Sequence, residues 1–363
     1  MRKQVVRRSV LRHSAAGVAV SLLLPLGPAL VASGAHRGGS EASRAVGSAH
    51  RHTLVVAPNG RRGAAGTARH PLATVREAVR RLPAGGVVEL RGGRYAQRIR
   101  LHRVQGITIR PYRHEHVVLD GSALTPRGTS AMVDIASSRR VVVEGLGITG
   151  YATRKLGVVP IGIYVHGASS HVTVRGNHVH AMGNYNPTLG SFDINAHGIA
   201  VYGDRPHHAI SDLTITRNTV DHLVLGASES VVVNGNVDGW RITRNLIHDD
   251  NNIGIDAIGF EPTLPAPYRY RQVNRARNGQ IADNTVYNII SKGNPAYYEG
   301  GGWCNCADGI YVDGGTRIRV ERNRIARDDI GIEVAAENPH GSADHVTVAD
   351  NAVSRSAFVG ITT

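Results

Sequence analysis

Aromatic residues make up only 5% of the 363 positions, with three Phe and two Trp. A thick globular core filled by large rings is therefore excluded, and a thin core of β-branched side chains is favoured. Windows rich in Ala, Leu, Glu and Lys are nearly absent, which argues against helical repeats. Cysteine occurs twice, as Cys304 and Cys306 in WCNCADG. Two thiols do not define a metal centre; in an exported chain they point to a disulfide, with free thiols the alternative. Lysine is absent beyond the first residues except at Lys155 and Lys292, both in loop-like sequence. A catalytic base on a strand must then be Arg, Tyr or His.

What the chain has instead is 43 Gly and a recurring phrase. VTVRGNHV, LTITRNTV, WRITRNLI, GQIADNTV, IRVERNRI and VTVADNAV place Asn177, Asn218, Asn245, Asn284, Asn323 and Asn351 in one context. Successive asparagines are 41, 27, 39, 39 and 28 residues apart. That scatter excludes a fixed period but fits a coil with a constant core and a turn that carries insertions. A second phrase follows: GIYVHG, GIAVYG, SVVVNG, GIDAIG, GIYVDG and GIEVAA, starting at Gly162, Gly198, Ser230, Gly254, Gly309 and Gly331. Alternation with period two marks a strand with Ile/Val buried and the variable face outward. Several such strands per coil predict an all-β, right-handed parallel β-helix. The asparagines are expected at coil corners, taking the left-handed conformation and stacking into an amide ladder.

Residues 1–35 read as an export signal. Arg2, Lys3, Arg7, Arg8 and Arg12 precede an apolar stretch too short and too broken to span a membrane, ending in SGA. Arg7-Arg8 before SVLR fits a twin-arginine signal as well as a general secretory one. Residues 36–52 are small, polar and aperiodic, as in a disordered linker. A single domain is expected over 53–363, with a capping segment over 53–95. In that segment Pro71 opens an amphipathic helix, Thr74 and Glu77 have capping-box spacing, and Val75, Ala78, Val79 and Leu82 share a face. Without the five signal charges the formal balance falls from +14 to +9, and what remains is scattered arginine. It favours an acidic glycan over nucleic acid, for which no motif is present. A monomer with no membrane span in the mature chain is expected.

Aligned on its small residue, the second phrase gives outward columns. Two places on lie Tyr164, Asp256, Tyr311 and Glu333; four places on lie His166, Tyr202, Asn234 and Asp313; just before lie His197, Glu229 and Asp308. With rungs about 4.8 Å apart, Asp256 and Asp313 should lie about 8 Å apart at the backbone, near the about 5–9.5 Å that glycoside hydrolysis uses. Outward carboxylates in mid-strand have poor β-propensity and repel one another, so packing does not account for them. Asp256, Asp308, Asp313, Glu333, Tyr311 and His197 are the candidate catalytic residues. Tyr164, His166, Tyr202 and Asn234 are candidate substrate contacts. Glu229, Asp256 and Asp308 are candidate ligands for calcium, whose charge would acidify a uronate C5 proton for removal by Tyr or His.

The segments Val56–Gly60, Pro71–Ala78 and Gly85–Tyr95 resemble the opening of secreted pectate lyase-like and chondroitinase-B-like β-helix proteins. That resemblance implies the pectin-lyase-like solenoid and a polysaccharide lyase. CADGIYV (Cys306–Val312) and RDDIGIEV (Arg327–Val334) resemble phrases of the polygalacturonase family, which implies catalytic roles for Asp308, Asp328 and Asp329. In the first phrase Cys-Ala stands where that family has Asn-Thr, and no GHG or RIK phrase follows. Three functions follow: an acidic-glycan lyase, a glycoside hydrolase with paired carboxylates, or a glycan-binding surface protein without turnover. An accessory β-helix for copper-site maturation would need a His/Met-rich cluster that the sequence does not show.

Overall fold

In the computed structural model, residues 52–338 and 340–363 are described. The export signal and nearly all of the linker expected from the sequence lie outside them. Three long, all-parallel sheets dominate: one of ten strands from Thr53–Arg61 to Asp344–Ala349, and two of nine strands each. The second runs from Gly93–Tyr95 to Ala352–Ser354, and the third from Ile99–His102 to Val359–Thr362. Each coil visits the first, second and third sheet in turn, so every strand pairs with its counterpart one coil away. This is the expected parallel β-helix, with Ile and Val of all three sheets filling one continuous core.

The first corner explains the asparagine phrase. Nδ2 of Asn177 donates to Oδ1 of Asn218 at 3.0 Å, and the same contact recurs from Asn218 to Asn245, Asn284, Asn323 and Asn351 at 2.9–3.0 Å. Each Nδ2 also donates to a backbone carbonyl, for example Asn245 to Ile215 at 3.1 Å. Each interior Oδ1 accepts a backbone N–H as well. The amides from Asn177 to Asn323 are buried but satisfied, so they cost little and fix the stacking. One expectation is corrected. The left-handed residue is the one before each asparagine: Gly176, Arg217, Arg244, Asp283, Arg322 and Asp350, with φ of 54–61°. The asparagine turns its side chain inward to bond, and its predecessor makes the bend.

The second corner explains the small residue. A Cβ on Gly162 would sit 2.5 Å from the Gly198 carbonyl oxygen, and one on Gly254 2.6 Å from that of Gly309. Backbones of successive coils approach too closely here for a side chain, and this locks the register of the third sheet.

The helix forms but is short, Val75–Arg81, with Val75 and Ala78 buried. Leu72 bridges to Val56 and Arg61 in the first sheet and so cannot join the helix. Thr74 accepts the Glu77 N–H as a cap, at 3.2 Å. Glu77 does not complete the box; it accepts from Gly63 N–H and Arg81 instead.

Candidate active site

The third sheet brings the outward columns into the register the sequence implied. Tyr164, Ala200, Val232, Asp256, Tyr311 and Glu333 are consecutive partners. His166, Tyr202, Asn234 and Ile258 form the neighbouring column. Residues as far apart in sequence as Tyr164 and Glu333 thus share one wall because each coil adds one rung.

At the centre is Asp256, only 2% exposed. Burial holds its carboxyl well above the ordinary range, and the negative charges of Asp313, Glu229, Glu337 and Asp308 push it further. Its Oδ1 has no hydrogen-bond partner among the described residues. Asp313 accepts the Glu337 N–H at 2.7 Å, which places that second glutamate beside the cluster. Glu261 is pushed up to about 7 by burial and then by Glu229 and Glu337, against a hydrogen bond from Asn234. Glu261 and Glu337 come from the loops between the third and first sheets, outside the repeated phrases. An acid just past the end of GIDAIG and of GIEVAA was the available signal.

His197 is buried beside this cluster. Its Nδ1 lies 3.3 Å from Glu229 Oε2, and its Nε2 lies 3.4 Å from the Tyr202 hydroxyl. Tyr202 meets Tyr164 edge to face at 5.9 Å, and Tyr164 stacks on His166 at 4.4 Å. The wall is therefore acidic at one end and aromatic at the other.

Several expected roles change. Asn234 is wholly buried, donates to Glu261 at 2.6 Å and accepts from Thr263 at 2.7 Å, so it braces an acid and offers nothing to a substrate. Tyr311 is held neutral by burial and by Asp313, Glu337, Glu333 and Asp256, and, unlike Tyr202, it has no histidine hydrogen-bonded to its hydroxyl among the described residues. His166 lies at the aromatic end, stacked on its fellow candidate contact Tyr164 and tied to Asp134 at 3.0 Å. Glu333 remains half-buried in register with Tyr311.

Two of the three aspartates picked out by the polygalacturonase-like phrases brace the coil. Asp328 accepts the Ile289 N–H at 2.8 Å, and Asp329 accepts the Ser291 and Ala307 N–H groups at 2.8 and 3.2 Å. Both are buried fasteners of the second corner. Cys304 and Cys306 are joined, and Ser291 ties their loop to Asp329 through a 2.5 Å contact while accepting the Cys306 N–H. This loop leads directly into Asp308. Two surface hollows, one beside Arg69 and Arg91 and one beside Arg76 and Arg98, belong to the N-terminal cap and contain none of these groups.

Fold and site define an all-β solenoid with a buried carboxylate cluster on one outer wall. No family model matches the chain. It is 36% identical over 313 residues to the uncharacterized protein YwoF of Bacillus subtilis, covering 85% of this chain. The chain spans 63% of the length of that protein. Pectate lyase PEL9 of Emericella nidulans is 29% identical over 137 residues, 34% of this chain and 33% of that enzyme. Among solved structures a rhamnogalacturonan lyase covers 78% of the chain, and 74% of its own is matched, at 11% identity and a TM-score of 0.46.

Proposed function

We propose that this is an exported carbohydrate-active protein that cleaves an acidic polysaccharide by β-elimination along the outer wall of the third sheet. Asp256 carries the reading: a buried carboxylate among four others, with one oxygen unpartnered. Unrelieved, such a group costs several kcal/mol, which packing has no reason to retain. Glu229, Asp256 and Asp308 sit on three successive rungs and offer only oxygens, the donor type calcium takes; their carboxylates do not all lie within 4.8 Å of one another and would close in on the ion. Asp313 stands alongside. A calcium ion bound there supplies the charge that neutralises a uronate carboxylate and makes its C5 proton more acidic.

The chain's own groups account for the proton. With Nδ1–H of His197 donated to the Glu229 backbone carbonyl at 3.3 Å, its Nε2 accepts from Tyr202. As the C5 proton moves to the Tyr202 oxygen, the phenolic proton passes to His197 Nε2. The C4–O bond breaks, its electron pair leaves with the departing sugar oxygen, and a C4–C5 double bond forms. Tyr164 and Tyr202 offer apolar ring faces on which sugars can lie. The similarity to a pectate lyase supports a uronate substrate, as does the arginine-rich surface.

Hydrolysis is the second reading, because a carboxyl held protonated among ionised neighbours is what a general acid requires. Incubation with a panel of uronate polymers, with and without chelator, separates the two. Elimination yields ultraviolet-absorbing unsaturated ends that chelation abolishes. Hydrolysis yields reducing ends without that absorbance, and no products at all would leave a binding protein.

A further inference from the structure

A second cluster lies on the same wall toward the N-terminal end, independent of the acids. His102 Nε2 is 2.9 Å from Asp134 Oδ2, and His166 Nε2 is 3.0 Å from Asp134 Oδ1. One donor atom from each of the three residues falls within 4.8 Å of the others. The two histidines are two rungs apart, with Ala136 between them in the column. That small side chain leaves a gap over which both rings reach the same carboxylate; their centroids are 6.3 Å apart and nearly perpendicular.

From this arrangement we propose that His102, Asp134 and His166 form a site for a divalent first-row transition ion. Two imidazoles and one carboxylate are a borderline donor set, suited to zinc, cobalt or nickel and poorly suited to calcium. Bonds of about 2.0 Å at tetrahedral angles place ligand atoms about 3.3 Å apart, so the present contacts need only a small opening. The rings are already aimed. His166 is clamped by its stack on Tyr164, and its outer nitrogen, Nδ1, faces Asp204 Oδ2 at 3.9 Å. Asp204 is itself fixed by the Gly167 N–H at 3.0 Å. A carboxylate behind the ligating ring orients it and raises its basicity. Three protein ligands leave a position open toward solvent, since His102 is exposed. That position lies beside the aromatic strip, where an oxygen of a bound glycan or a water would complete the shell.

Cobalt(II) titration of the purified, chelator-treated protein, followed by visible absorption and calorimetry, tests the site. The expected result is one equivalent bound, displaced by zinc and untouched by excess calcium. His102→Ala and His166→Ala should each weaken binding by about a hundredfold, and Asp204→Asn by about tenfold. Because His102 is exposed, its replacement should leave the far-UV circular dichroism unchanged, which separates ligand loss from misfolding. Asp256→Asn should bind cobalt as the parent does. Absence of saturable cobalt or zinc binding, undiminished binding in both histidine variants, or loss of binding in Asp256→Asn would each overturn the assignment.

Discussion

The Tyr202 hydroxyl stands 3.4 Å from Nε2 of His197, and the far side of that ring meets Glu229. Burial and the charges of Glu229 and Glu261 hold the phenol well above its usual range, so Tyr202 needs a proton acceptor to act as a base. Tyr202→Phe keeps the ring and its contact with Tyr164 while removing the oxygen. Initial-rate kinetics should show kcat lower by about 10²–10⁴-fold with KM little changed. His197→Ala should fall as far, and the double variant no further. Additive losses would mean the two residues do not work as a unit.

Stability should fall with rising pH in the metal-free protein. Burial pushes Asp250 and Asp328 up to about 7, whereas unfolded carboxylates ionise near about 4. The folded pKa is raised, so this contribution is complete below about pH 4 and is lost as pH climbs to about 7, where the unfolded chain has released protons that the folded chain keeps. Each group contributes up to about 1.4 kcal/mol per pH unit in that window. Asp250→Asn should flatten the dependence of the urea midpoint on pH across this range. An unchanged slope would contradict the assignment.

Asn245 lies inside the amide ladder. Asn245→Ala strands the Asn218 amide and the Ile215 carbonyl, both buried. Equilibrium unfolding should show a loss of about 2–5 kcal/mol, whereas Asn351→Ala, at the less buried end, should cost clearly less. Equal costs would mean that the ladder does not act through burial.

Trp240 fills the core of the first sheet opposite Gly279 on the next rung. A Cβ on Gly279 would lie 2.1 Å from the indole. Gly279→Ala should therefore destabilise by about 1–3 kcal/mol, and Trp240→Leu in the same chain should recover part of it. No recovery in a thermal unfolding series would place the strain elsewhere.

The ladder and the columns were legible because each asks for one residue type at a fixed place on a rung. Asn177 to Asn351 share one bonding geometry, and Gly254 and Gly309 share one close approach; from those the neighbours of Asp256 follow by counting. Glu261 and Glu337 were not legible as site residues because they arrive on loops of variable length. His102 and Asp134 escaped because their coils lack the small residue; Met132 stands where Gly162 stands in the next. Asn234 looked like a surface amide, and only the packing of Glu261 and Thr263 against it shows that both its ends are occupied. The bend before each asparagine was misplaced by one residue, since a left-handed Arg217 or Arg244 leaves no sign in the residue types.

The central claim is that coiling assembles Glu229, Asp256 and Asp308 into one cation-binding cluster. Calorimetric titration of the chelator-treated protein with calcium, repeated for Glu229→Gln, Asp256→Asn and Asp308→Asn, tests it most directly. The account predicts one equivalent bound by the parent and the same site weakened at least about tenfold in all three variants, with Asp256→Asn more heat-stable than the parent when calcium is absent. Calcium binding that persists unchanged in Asp256→Asn, or a parent that binds none, would contradict it.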